Sequence, residues 1–306
     1  MIVLATVPIV IGLLTGLLSG RIGRRMQPRL GVPLLTGLAL TVALCTGIAL
    51  SALAILVVAQ FGPISHLGHW SASVVRAQAG FPVGVGVFAF AVVVVLFGAA
   101  VLRAAILLRT LIRATRASRG LTPLDGDLVV VDDDVPTAYA LGGWRGRIVV
   151  SRSMLTALSA DERRVVLAHE AAHVRHRHHI YLHLAALAAA ANPLLRPTRS
   201  AIALGVERWA DEDAAADVHD REAAARGLAR AALALAHHRR GLGTLAAADS
   251  AVSQRVSALL APAPSPRWFT TAVIIALGAT CWLATAAATW RTNEFIQVAE
   301  QAVLHH

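Results

Sequence analysis

Apolar residues gather in blocks along this chain. Runs at about 2–18, 34–60, 82–102 and 269–290 contain no Asp, Glu, Lys or Arg. Each is long enough, or nearly so, to cross a hydrocarbon core of ~30 Å at ~1.5 Å per helical residue. Trp268 and Trp290 flank the last run, where indole rings anchor at a membrane–water interface. A fifth apolar stretch, 180–206, is interrupted by Asn192-Pro193, Arg196, Pro197 and Arg199. Proline removes a helical hydrogen bond and clashes with the preceding turn, so this stretch does not read as one continuous crossing.

Charge orders the blocks. A secretory signal has its positive charge before the apolar core. Here Arg21, Arg24, Arg25 and Arg29 follow it, which predicts an uncleaved span with its N-terminus outside. The loop after the second run carries only Arg76, whereas Arg103, Arg109, Arg113, Arg116 and Arg119 follow the third. Arginine marks the cytoplasmic side. The predicted organisation is a three-span membrane region over 1–113, a cytoplasmic domain over 114–266, and a fourth span with a short extracytoplasmic tail over 267–306. The chain thus reads as a multi-pass protein of the cell membrane.

Composition narrows the function classes. The chain is 56% hydrophobic with a net charge of +10, and all 28 basic residues are arginine. Arginine binds phosphate well, but these arginines form no patch with interleaved aromatics, which make up only 5% of the chain. Direct nucleic-acid binding is therefore not expected; the lipid bilayer is the expected partner of this charge. Cys45 and Cys281 each lie inside an apolar run, which argues against a cysteine metal site or a disulfide framework.

The polar segment reads as mixed α and β. Leu128–Asp132 is a β-branched run, and 138–141 with 147–151 flank Gly142-Gly143 as a strand pair. Ser159 and Glu162 have capping-box spacing, predicting a helix from there to about His178. Further helices are expected at about 201–217 and 221–238, and Ala-Pro-Ala-Pro-Ser-Pro at 261–266 reads as a stiff linker.

His169 and His173 stand four residues apart on the capped helix. That spacing puts both imidazoles on one face, where they can bind one zinc ion. Glu170 sits beside His169, placed to take a proton from a water that the metal acidifies and to return it to a leaving amine. This is the His-Glu-x-x-His motif of zinc peptidases. A third ligand is needed, and Glu207, Asp211, Glu212, Asp213, Asp217 and His219 are the downstream candidates. Glu207 stands apart from the acidic run and is favoured. Asp211, one turn on, suits the orienting of a histidine ring. Glu212 and Asp213 read as a solvated acidic face. If 180–206 crossed the membrane once, Glu207 would lie on the wrong side. That stretch must be a buried core helix, an interfacial segment or a two-way hairpin. His176, His178 and His179 read as a basic helix end near an acidic lipid surface.

His169-Glu170-x-x-His173 followed by Glu207-Arg-Trp-Ala-Asp211 resembles the gluzincin membrane peptidases of the HtpX and CAAX-protease type. Asp211-Glu-Asp-Ala-Ala is also similar to the BlaR/MecR antirepressor peptidases. The resemblance implies one zinc per chain on His169, His173 and Glu207, with Glu170 as base and Asp211 behind the ligands. It also implies an edge strand, Tyr139-Ala140-Leu141, that lines the substrate cleft. The implied fold class is a mainly α membrane protein with about four transmembrane helices and a cytoplasmic α+β zincin-like domain bearing a small edge sheet. The implied function is a zinc metalloendopeptidase acting on a protein or peptide substrate, such as a transcriptional repressor. Membrane-protein quality control and a non-catalytic zinc-containing scaffold are the alternatives. Sensor members carry a large extracellular domain after the last span, whereas here only about 291–306 follow it.

Overall fold

A computed structural model describes residues 2–60, 64–65, 70–79, 82–120, 124, 126–143, 146–238, 245–262 and 265–304. Four of its helices are long and apolar enough to cross a membrane: α1 (Ile2–Arg25), α2 (Pro28–Val58), Val83–Gly120 and Trp268–Leu304. The short helix α3 (Ala72–Ala79) separates α2 from α4 (Val83–Gly120). All four outrun the apolar blocks, because a helix need not stop where its hydrophobic stretch meets water. The arginines from Arg103 to Arg119 ride on the second half of α4.

α2 is the centre of this bundle. Val42, Cys45, Ala49 and Leu56 are fully shielded, and α1, α4 and the last long helix all pack on α2. The expected short tail after residue 290 is instead helical through Leu304. Near its end Ala299 packs with Leu56, Ala59 and Val75.

The stretch 180–206 is a two-way hairpin. Downstream of the sheet described next, helix α7 (His178–Ala191) runs in against α2 and α4, a 3-10 turn covers Pro193–Leu195, and α8 (Arg196–Val218) returns along α1 and α2. Asn192 closes the tip: its side chain accepts from the Leu194 N–H (3.1 Å) and donates to Thr46 Oγ1 (3.2 Å). Thr198 Oγ1 donates to the Thr15 carbonyl at 3.4 Å. Gly16 is where α1 meets the tip, and a Cβ there would overlap the Leu194 carbonyl oxygen. The tip therefore lies midway along α1 and α2, with both hairpin ends on one side.

The sheet has three strands, β1 (Leu128–Val131), β2 (Ala138–Leu141) and β3 (Arg147–Ser151), in the order β1-β3-β2. β1 is parallel to β3, with Leu128 opposite Ile148; β2 is antiparallel to β3, with Tyr139 opposite Val149. β2 is an edge strand. α5 (Arg152–Ala157) leads into α6 (Ala160–Arg175), whose N-terminus carries the full Ser159–Glu162 capping box. Val150, Met154, Leu158 and Val166 form the core between sheet and helices.

α6 ends at Arg175, short of the expected His178. His176 caps it, and Arg177 takes a left-handed conformation, φ 51°. Two more helices complete this part, α9 (Arg221–His238) and α10 (Leu245–Leu260). Ala224, Ala225 and Leu259 from them bury Val165 of α6 and Ala215 of α8. α11 (Trp268–Leu304) is the last long helix; the linker 261–266 lies partly outside the described residues, at 263–264.

Candidate metal centre

His169 and His173 leave α6 on one face, their Nε2 atoms 3.1 Å apart. The hairpin brings Glu207 of α8 opposite them. Glu207 Oε2 lies 3.6 Å from His169 Nε2, and Oε1 lies 3.7 Å from His173 Nε2. A tetrahedral zinc with bonds of ~2.0–2.2 Å holds its ligand atoms ~3.3–3.6 Å apart. The observed separations lie within a few tenths of an ångström of that size, the two Glu207 distances being measured to different carboxylate oxygens. The far side of each ring is also occupied, so a metal at the centre would meet both rings at Nε2. His169 Nδ1 is 3.0 Å from Asp211 Oδ1, and His173 Nδ1 is 3.0 Å from His178 Nδ1. These three residues could hold a metal ion.

Residues 103–200 match the model of peptidase family M48. M48 is a family of zincin-type membrane metallopeptidases, and its members are usually zinc-dependent. The M48 match takes in the sheet, α6 and α7, under half of the chain. It stops before Glu207 and Asp211, so the candidate third donor lies outside the matched segment. No curated protein and no solved structure matches the chain. The M48 match and the four apolar helices mark the chain as a metallopeptidase of membrane type.

Electrostatics of the centre follow from its burial. Burial opposes a charge on His169, yet hydrogen bonds to Asp211 and Glu207 outweigh it and raise the imidazole to about 9. Burial, joined by the neighbouring His169, lowers His173 to about 4. Burial raises the Glu170 carboxyl above its ordinary value, partly offset by His169 and by a backbone hydrogen bond with Ala140 of β2.

Two cavities meet at Glu170 and Glu207, both floored by Tyr139. One, of about 380 Å³, is walled by apolar side chains that include Val165, Leu228, Ala231 and Leu259. The other, of about 550 Å³, includes Ala140, Leu141, Arg175, Arg177 and His179. Tyr139, Ala140 and Leu141 therefore line a cleft that passes the metal centre.

Other acidic and histidine residues differ from the sequence reading. Asp213 is not a solvated face: it meets His176 at 2.6 Å and Arg175 at 3.4 Å. Glu212 is clamped by Arg221. His178 is not a lipid-facing basic end; it is fully buried behind His173. One residue gave no signal in the sequence at all. Arg255 of α10 donates to both Asp211 oxygens, at 2.8 and 2.7 Å, and pairs with Glu207 at 3.0 Å. Its side chain is also 3.4 Å from His169 Nε2. A lone arginine in an amphipathic helix, 44 residues past its partner, carries no local mark of such a role.

Proposed function

We propose that the chain is a membrane-bound zinc metalloendopeptidase that hydrolyses peptide bonds in a protein substrate at the cytoplasmic surface of the membrane. The observation that carries this reading is the convergence of His169, His173 and Glu207 beside Glu170, in a cleft floored by an edge strand. An extended substrate pairs with β2 by strand addition and lays its side chains into the two cavities. A bound zinc ion supplies Lewis acidity, which activates water and polarises the substrate carbonyl. Glu170 accepts the proton of the attacking water, and its raised carboxyl pKa suits it to return that proton to the leaving amine. Asp211 holds His169 through Nδ1, and Arg255 holds Asp211 and balances its charge.

The substrate class is a cytoplasmic regulator such as a repressor, or a membrane protein in quality control. One feature favours a segment presented at the membrane surface. Arg208, one residue after Glu207, donates to the Gly23 and Arg24 carbonyls at the end of α1. The centre thus stands at the arginine-rich end of the span.

The test uses detergent-purified full-length protein. Wild type should hold about one zinc per chain, and His169→Ala and Glu207→Ala should lose it. Glu170→Gln should keep zinc and lose cleavage by about 10²- to 10⁴-fold, trapping uncut substrate for identification. A Glu170→Gln protein that cleaves at the wild-type rate would end the catalytic assignment.

A further inference from the structure

The two histidines of the centre are backed unequally. His169 faces a carboxylate, whereas His173 faces another imidazole. His178, the first residue of α7, is fully buried. Its Nδ1 lies 3.0 Å from His173 Nδ1, with the rings edge to face at 87° and 4.8 Å between centroids. Its other neighbours are rings too: Trp209 at 4.9 Å and His176 at 5.6 Å. Among the described protein atoms, His178 Nε2 has no hydrogen-bond partner.

Tautomers follow from this geometry. For His173 Nε2 to present a lone pair, the ring proton must sit on Nδ1, which then donates. His178 Nδ1 must accept it, so the proton of His178 sits on Nε2, among the aromatic rings. We infer that His178 is a positioning residue for the metal centre, accepting the Nδ1–H of His173 and fixing that ring with its Nε2 lone pair toward the metal. Outer partners of this kind set ring orientation and ligand basicity. An uncharged acceptor has a further effect. Glu207 and Asp211 already bring two negative charges, one of them balanced by Arg255. A carboxylate at 178 would add a third and blunt the electrophilicity of a divalent ion; an imidazole adds none.

The left-handed residue Arg177 makes this contact possible. It breaks the helix between His173 and His178, so that the two rings meet edge to face instead of lying on different faces of one continuous helix.

The inference rests on the metal reading of the site, and zinc affinity tests both. His178→Phe keeps the ring on Trp209 and removes the acceptor; zinc should bind about 10- to 100-fold more weakly. His178→Asn offers Oδ1 near the position of the lost nitrogen and should stay within about threefold of wild type. The cobalt(II)-substituted spectrum should change in the Phe variant and be restored in the Asn variant. Equal zinc affinity in wild type and His178→Phe overturns the inference. So does an equal loss in both variants, which would make bulk, not hydrogen bonding, the cause. If His178→Phe does not fold, ¹⁵N-histidine spectra of zinc-loaded wild type decide: a proton on His178 Nε2 is expected, and one on Nδ1 overturns it. Wild type that takes up no zinc removes the metal reading and this inference together.

Discussion

At the scale of single residues, the centre works by giving each donor a partner on its far side. Asp211 is buried and is held by Arg255 through two hydrogen bonds. Removing one partner of such a pair leaves a charge without compensation. Arg255→Gln should cost the metal-free protein about 3–5 kcal/mol. Arg226→Gln, which breaks an exposed i,i+4 pair with Glu222, should cost no more than about 0.5 kcal/mol. Thermal unfolding of the two variants side by side checks the contrast, and similar losses would refute it. His169 gives a pH dependence. Its metal-free imidazole, raised to about 9, holds a proton near neutral pH, and a metal must displace that proton. His173, lowered to about 4, has none to give up. Apparent zinc affinity should therefore rise about tenfold per pH unit and level off above about pH 9, with one proton released per zinc bound. Calorimetry in buffers of different ionisation heat measures that proton; an affinity flat between about pH 6 and 8 would contradict it.

Among elements, the hairpin of α7 and α8 decides whether a site exists. It carries His178 at one end and Glu207 and Asp211 at the other, and its tip is locked into α1 and α2. Gly16 is the point where no side chain fits. Gly16→Val should push the tip away and destabilise the fold by about 1–3 kcal/mol, the usual range for overpacking, with weaker zinc binding as α8 shifts. Gly37→Val, at a position with open space around it, is the control. Unchanged melting and zinc content in the Gly16 variant would show that the tip is not a fixed anchor. Within the same element, the sequence expected a break at Asn192-Pro193 and required Glu207 to stay on the side of His169. Of a core helix, an interfacial segment and a two-way hairpin, the break suits the last two, and the sequence did not choose between them. Apolar residues satisfy both. The contacts of Asn192 with Thr46, of Leu194 with Gly16 and of Thr198 with Thr15 select the hairpin.

For the whole molecule, the arrangement implies sidedness. Arginines lie at the ends of α1 and α4 that face the sheet, and the cytoplasmic side proposed above for the centre follows the positive-inside rule. Both native cysteines are buried in the bundle, so a single new cysteine reports topology. Thr156→Cys, on exposed α5, should react with a membrane-impermeant maleimide only in inside-out vesicles. Labelling in right-side-out vesicles would invert the proposed topology. The apolar cavity beside the centre takes part of its wall from α9 and α10, which lie outside the M48 match.

The sequence by itself determined what depends on local periodicity and spacing. Four apolar blocks appear as four long helices, because burying backbone polar groups in a hydrocarbon layer demands a helix. The strands at 128–131, 138–141 and 147–151 and the Ser159–Glu162 cap lie where β-branching and capping chemistry place them. The i,i+4 histidines with Glu170 are legible because a helical turn alone sets them side by side. Tertiary structure decided what joins distant segments. It placed Glu207 across from the histidines, buried His178 behind His173, tied Asp213 into the helix junction and brought Arg255 onto Asp211. Of these, Glu207 was favoured from the sequence as the third ligand; the places of His178, Asp213 and Arg255 have no local signal. They depend on the docking of the hairpin, on the left-handed turn at Arg177 that sets His178 behind His173, and on the packing of α10 against α8, and a linear pattern of apolar and polar residues does not encode which segments fold back onto which.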